Sequence, residues 1–401
     1  MRTLRIILTW FFIIIFLMSC MAVAKESFAM TANESINNFT FNAAKIMRND
    51  SGEYFFSPYS ILSAFGMVYA GAEGNTAREI EEALGFSADT HAELGNYLKD
   101  IENESALSSA NRVWLRNGLT LKDAYKEILL LNYNSTAKEL DFKNETEDSR
   151  KTINKWVSDK THDKIQELLK ELDASTQMVL TNAVYFNAEW ASKFSKSRTS
   201  KEDFFPGGCI VTKVDMMKKH GDFLYAERDG NKIIRLPYDG GRFSMIVFLP
   251  PKIAGYTGKL AEGAKFINLD AEVFSNLLSS MREYEVDLWL PKFKTEKRYE
   301  LQDLFDALGV KLAFSNFADF SGITADEALK IDKVIHQTFI DVDEEKTEAA
   351  AATAITMVKA TAMPPLDKPK AEFHADSPFE YFIVDDYTKT ILFAGRQTFD
   401  R

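Results

Sequence analysis

Twenty consecutive residues near the C-terminal end, Glu344 to Met363, contain neither glycine nor proline, and Pro364-Pro365 close them. Within them the ten residues from Ala349 to Val358 carry no charge. A run like that is either packed in a core or has a use for small, uncharged side chains. Alanine has the highest helix propensity, which favours a helix. Against it, Ile355, Met357 and Val358 are the large apolar residues available as anchors, and they make no stripe. Period two sorts the run better. Thr347, Ala349, Ala351, Thr353, Ile355 and Met357 share one uncharged face, while Glu348 joins Ala350, Ala352, Ala354, Thr356 and Val358 on the other. A face of small residues suits a strand that must enter a sheet without steric conflict. On composition alone, helix and strand stand level.

Elsewhere the chain is an ordinary globular mixture. Of its 401 residues 46% are apolar, 12% aromatic and 27% charged, which excludes a wholly disordered chain, a collagen-like repeat and a multi-span membrane protein. Forty-eight basic residues against 59 acidic ones leave a net charge of −11, arguing against nucleic acid as a partner. Two cysteines, Cys20 and Cys209, can form one bridge at most, so no disulfide framework supports the fold.

Residues 1–24 read as a targeting segment. Arg2 and Arg5 precede an apolar run from Ile6 to Met18, and Ala22-Val23-Ala24 offers small residues at a signal-peptide cleavage position. Two other readings stay open. Leu17-Met18-Ser19-Cys20 is similar to the lipobox of prokaryotic lipoproteins, in which Cys20 would be acylated and become the new N-terminus. Left uncleaved, the uncharged stretch Ile6–Ala24 is long enough to anchor the chain in a bilayer. All three readings place the body outside the cytoplasm, either secreted or held on the outer side of a membrane.

After Lys25 no linker, repeat or low-complexity block divides the chain, and its length allows two or three domains or one large one. Ile36, Phe39, Ala43, Ala44 and Met47 predict a helix over Thr31–Arg48. Ser57-Pro58 starts a second, with the hydroxyl as cap and proline in the first turn. Its body, Ile61–Ala70, is apolar nearly all round and therefore buried. Thr76-Ala77-Arg78-Glu79 reads as a capping box ahead of Ile80, Ala83 and Leu84, with Gly85 as the stop. Ile153, Trp156, Val157, Ile165 and Leu168 predict one long helix over Glu147–Leu172. Strands come next: Met178–Phe186, Ile233–Leu236, Phe243–Leu249, Val286–Leu290, Ile331–Val342 and Tyr381–Phe393, with a turn at Asp239-Gly240-Gly241 and a helix at Leu301–Leu308. Helices gather early and strands late without βαβ alternation, so the class is α+β.

Seven motifs, in order and in spacing, resemble the serpin family from about Phe28 to Arg401. They are Phe55-Phe56-Ser57-Pro58-Tyr59-Ser60-Ile61, Gly71-Ala72-Glu73-Gly74-Asn75-Thr76 and Asn182-Ala183-Val184-Tyr185-Phe186-Asn187-Ala188-Glu189-Trp190. Leu290-Pro291-Lys292-Phe293, Ala318-Asp319-Phe320-Ser321-Gly322-Ile323, His336, and Phe373-His374-Ala375-Asp376-Ser377-Pro378-Phe379 complete the set. The resemblance implies a single serpin domain over residues 25–401, with three β-sheets, about nine helices and an exposed reactive-centre loop at about residues 344–365. It also implies a monomer without cofactor or metal that inhibits serine, sometimes cysteine, proteases as a suicide substrate. The protease acylates itself on the loop, and the cut loop then inserts as a strand into the main sheet.

Mapped onto this chain, the resemblance puts the loop hinge at Glu344, Glu345, Lys346, Thr347, Glu348, Ala349, Ala350, Ala351 and Ala352. Lys346 stands where family inhibitors usually have glycine, which eases the backbone bend. The usual loop length places the scissile bond at Ala360–Thr361, implying a protease with a small apolar primary pocket, elastase-like or subtilisin-like. A slip of one residue gives Lys359–Ala360 and a trypsin-like enzyme. Ser57, Ser60, Asn182 and His336 correspond to a polar cluster beneath the opening sheet. Trp190 corresponds to the point of first insertion, and equally well reads as plain core packing.

The residues offer no rival chemistry. No G-x-S-x-G or H-E-x-x-H pattern occurs, and the five histidines lack ligand spacing, so neither catalysis nor a metal is expected. Asp341–Glu345 lacks the glycine and final ligand of a calcium loop and reads as a solvated strand end. The region Ala88–Ser105, where some serpins bind heparin, holds Lys99 against five acids, so heparin activation is not expected. A non-inhibitory serpin acting as a binding, carrier or chaperone protein is the alternative, and Lys346 is the residue favouring it.

Overall fold

The computed structural model describes residues 30–399, except 103, 105, 208–209, 252, 255–258, 261–266 and 348–367. In chain order its elements begin with α1 (Ala32–Ser51), β1 (Tyr54–Phe56), α2 (Pro58–Tyr69), α3 (Gly74–Leu84), α4 (Thr90–Glu102) and β2 (Leu107–Arg116). Next come α5 (Asp123–Tyr133), β3 (Lys138–Leu140), α6 (Thr146–Lys160), β4 (Met178–Phe186), β5 (Ala188–Glu189), β6 (Ser200–Gly207) and β7 (Ile210–Arg228). After them lie β8 (Asn231–Pro237), β9 (Phe243–Leu249), β10 (Ile253–Ala254), β11 (Lys259–Leu260), α7 (Ala271–Ser280), β12 (Arg282–Pro291) and β13 (Phe293–Glu300). The chain ends with α8 (Gln302–Leu308), β14 (Lys333–Val342), β15 (Lys346–Thr347), β16 (Lys370–His374), β17 (Phe379–Asp385) and β18 (Ile391–Gln397). The class is α+β, with eight α-helices among the described residues where about nine were expected.

A nine-stranded sheet runs β1-β18-β17-β9-β8-β7-β12-β16 with β6 on β7, and a seven-stranded sheet runs β3-β2-β4-β14-β15-β5 with β13 on β14. Strands β10 and β11 make a small third sheet. In the seven-stranded sheet β4 is buried throughout, lies antiparallel to β2 and pairs in parallel with β14 from Lys333↔Val179 to Phe339↔Tyr185. Alternation along these strands feeds two cores. Met178, Leu180 and Val184 face the main one, whereas Val179 and Ala183 join Trp114, Ile153, Val157 and Ile335 in a second under α6.

Local signals behave as read where the backbone decides. Thr31 accepts from the Glu34 amide and Glu34 reaches back, a complete capping box on α1. Ser57 caps α2, Pro58 opens it, and all twelve of its residues are buried. Gly240 and Gly241 turn the β8–β9 hairpin at φ +82° and +72°. Two motifs far apart in sequence make one contact: a Cβ on Gly322 would come within 2.8 Å of the Gly71 carbonyl oxygen, so the backbones meet where side chains cannot fit.

Three readings need correction. α3 starts at Gly74 behind Glu73, so Thr76 lies inside the first turn and accepts from the Asp319 amide at 2.9 Å instead of capping. The long helix predicted over Glu147–Leu172 stops at Lys160, because His162 and Asp163 adopt φ +51° and +61°. Asn154 then clamps the returning chain, exchanging 2.8 Å bonds with both backbone groups of Leu169. Tyr381–Phe393 is two strands, β17 and β18, joined by a turn.

Candidate functional site

The seam between β4 and β14 carries a polar row across four strands. Asn111 of β2 is opposite Asn182 of β4, Asn182 opposite His336 of β14, and His336 opposite Tyr299 of β13. The start of α2 lies beneath. The Ser57 amide donates to His336 Nε2 at 3.0 Å, which leaves the ring proton on Nδ1, and Nδ1 donates to Asn182 Oδ1. Asn182 Nδ2 donates to the Ser60 carbonyl at 2.7 Å and to Asn111 Oδ1 at 2.6 Å, and Ser60 Oγ donates to Asn111 Oδ1 at 3.2 Å. Ser57 Oγ accepts from the Ser60 amide and donates to the Leu392 carbonyl at 2.6 Å. Burial pushes the His336 pKa down to about 3, against the bond to Asn182, so the imidazole is neutral. Four residues read from the sequence are thus brought into one buried network. Asn111, absent from that reading, belongs to it as well, and the Tyr299 ring, also absent from it, stacks on His336 at 6.4 Å. A polar Asn111 beside the buried Ala110 in a partly buried strand was the available signal.

At the upper end the strands part. β14 turns through Asp343–Glu345, and β15 returns antiparallel between β14 (Val342↔Thr347) and β5 (Lys346↔Glu189, Thr347↔Ala188). Lys346 lies in extended backbone outside the positive-φ set, where a residue other than glycine is not strained. Trp190, 3% exposed, stacks on Tyr238 at 4.7 Å and donates from Nε1 to the Asp343 carbonyl at 2.9 Å. Its amide donates to the Glu345 carbonyl, and the Phe194 amide to that of Glu344. Trp190 is therefore packed in the core, next to the fork that β15 occupies.

Glu344 corrects the expected solvated strand end. It is 5% exposed, accepts from Thr199 Oγ1 at 2.7 Å and pairs with Lys292 at 2.7 Å. Burial raises its carboxyl, but Lys292 and Thr199 outweigh this and hold it below the usual carboxylate range. Glu345 pairs with Lys196 at 2.5 Å. The segment after α6 straps the seam from outside. Arg298 and Arg150 donate to the Leu168 and Leu169 carbonyls at 2.6 and 2.9 Å, and Lys164 lies over Tyr185 and Phe339, the last pair of the closed seam. Among the described residues no cluster of three or more His, Cys, Asp or Glu is placed to hold a metal ion. Cys20 and residues 1–24, hinge residues Glu348, Ala349, Ala350, Ala351 and Ala352, and the bonds Ala360–Thr361 and Lys359–Ala360 lie outside the described residues.

The profile of the family described as Serpin (serine protease inhibitor) matches residues 34–398. The chain belongs to the serpin family. An uncharacterized serpin-like protein of Thermococcus kodakarensis is 39% identical over 384 residues, covering 93% of this chain and 87% of that one. Human Serpin B3 is 34% identical over 392 residues, covering 91% and 98%. Among solved structures, Serpin48, described as a highly specific serpin in the insect Tenebrio molitor, aligns with TM-score 0.79 at 31% identity, covering 92% and 98%. Maspin aligns with TM-score 0.82 at 26% identity, covering 92% and 98%. Serpins are in general protease inhibitors rather than enzymes, and proteases are their general targets.

Proposed function

We propose that this serpin is a suicide-substrate inhibitor of serine endopeptidases, and of cysteine endopeptidases as a second class. The observation that carries the reading is β15: two hinge residues already run as a strand in the fork between β14 and β5. The protease nucleophile attacks the Ala360 carbonyl, forms the acyl-enzyme and releases the amine of Thr361. The loop behind it continues β15 down the β4–β14 seam, carrying the enzyme along before water can hydrolyse the ester. Small, uncharged residues from Ala349 to Val358 support this, since each must pass into a closed sheet. Ser57, Ser60, Asn182 and His336, with Asn111, keep the seam shut until then. The alanine at the scissile bond favours an elastase-like or subtilisin-like target, and residues 1–24 favour a location outside the cytoplasm, secreted or anchored on the outer side of a membrane.

Incubation with elastase, subtilisin and trypsin tests this. An SDS-stable complex and a released fragment beginning at Thr361 are expected. Clean loop cleavage without any complex would favour the binding, carrier or chaperone alternative, for which Lys346 speaks. A fragment beginning at Ala360 would move the bond to Lys359.

A further inference from the structure

A cavity of about 130 Å³ opens on the flank of the seven-stranded sheet, between β2, the C-terminal end of α5 and the last turns of α6. Its two charged lining residues are both cationic, Arg112 and Lys160. The half-buried Arg112 guanidinium lies 4.2 Å from the Trp156 ring centroid and 5.3 Å from that of Trp114. Its Nε is buried without a hydrogen-bond partner. Burial pushes its pKa down, with nothing opposing it. Neither Arg112 nor Lys160 is ion-paired among the described residues. Other arginines sunk in this fold are served differently: Arg242 meets Asp100, Glu104 and Asp385, and Arg48 meets Glu380.

An unpaired, partly desolvated cation is costly to keep. Stacking on an indole covers the face of the guanidinium and leaves its edge, which presents donors in the fork that matches a carboxylate or phosphate. We propose that this cavity binds a small oxyanion, a short carboxylate or phosphate, on Arg112 and Lys160. Its volume equals that of about four waters, enough for a few heavy atoms. Ser109 and Ser135 in the wall add neutral hydroxyls. Asn111 also lines the cavity, and its Oδ1 accepts from Asn182 and Ser60 in the seam network. An anion here ties β2 to α6 and holds the seam shut, a consequence that rests on the insertion reading while the binding itself does not.

Kosmotropic anions stabilise most proteins without a site, so binding is measured directly. Inorganic phosphate, succinate and chloride are titrated calorimetrically at constant ionic strength into the wild type, Arg112→Gln and Lys160→Ala. Saturable one-to-one binding of phosphate or succinate is expected, with chloride inert, and the anion that binds identifies the source. Arg112→Gln should weaken it at least tenfold and Lys160→Ala several-fold. Absence of binding by both anions, or equal affinity in Arg112→Gln, overturns the site. Should Arg112→Gln not fold, unchanged affinity in both Lys160→Ala and Trp156→Leu overturns it. Slower spontaneous sheet opening with the anion supports the link to the seam. Binding with an unchanged opening rate overturns that link alone and leaves the inhibitory reading to its own test.

Discussion

Asn182→Ala removes the residue that joins both sides of the closed seam to the helix beneath. It deletes the acceptor of the His336 Nδ1 proton and the donor to the Ser60 carbonyl and Asn111 Oδ1. Asn111 keeps the Ser60 hydroxyl, so the main penalty falls on His336, whose ring is fully buried, and on the vacated space. One or two orphaned buried groups cost about 1–3 kcal/mol each, giving roughly 3 kcal/mol in the native state. In the proposed loop-inserted state a new strand would separate β4 from β14 and break this pair. The mutation therefore acts on one state only, and the equilibrium for opening the seam shifts by about a hundredfold. Scanning calorimetry on intact and loop-cleaved protein reads the difference. The intact midpoint should fall by several degrees, and the cleaved midpoint should stay close to wild type. Equal losses in both forms would refute the reasoning, because they would mean that Asn182 supports the fold at large and not the closed seam.

Further expectations concern single groups. His336 and His91 are held neutral by burial, with pKa values lowered from 6.5 to about 3 and about 4, so the unfolded chain binds more protons between those values and 6.5. Their stability contribution is whole above pH 6.5 and drains as pH falls through that window, so thermal midpoints should drop steadily from pH 7 to 4. A flat profile would contradict it. Trp190→Phe keeps a ring on Tyr238 but loses the bond to the Asp343 carbonyl, worth about 1 kcal/mol. Hydrogen exchange at Glu345 and Phe194 should rise several-fold while global stability changes little. Thr347→Arg places a charge at the position paired with Ala188 and Val342. Gels should then show mostly cleaved serpin where the wild type gives complex. Cys20→Ala should abolish incorporation of labelled fatty acid if the lipobox operates, and labelling that persists would point to another acceptor.

Features settled by one stretch of backbone were legible in advance. Thr31 with Glu34, Ser57-Pro58 and the all-buried Met178–Phe186 strand each depend on neighbours within a few residues. Thr76 misled because its hydroxyl serves Asp319, 243 residues away, while Glu79 receives the Lys311 and Leu312 amides. A capping pattern cannot announce a distant donor. Ile165 and Leu168 kept helical spacing although the helix ends at Lys160, because the second core takes them from a folded-back strap as readily as from a helix. Glu344 looked solvated because its partners, Lys292 and Thr199, come from two other parts of the chain. Ser57, Ser60, Asn182 and His336 were found through family resemblance. Asn111 and Tyr299 join them only through strand register, which pairs residues that sequence distance conceals.

Under the proposed inhibitory function, the two-residue strand Lys346–Thr347 bears on the kinetics of loop insertion. Starting a strand between two closed neighbours is the slow step, because order is imposed before any ladder bond repays it. Here that start exists before any bond is cut, in the manner of a zip whose slider is already seated. Cleavage then has only to release the far end, and each further residue adds bonds at about 3.3 Å of advance. From Glu348 to Ala360 the loop has thirteen residues, a travel of about 43 Å at that rise. On that proposal, trapping a protease is a race between that run and one hydrolytic step, and the starting position would shorten the run from its slowest end.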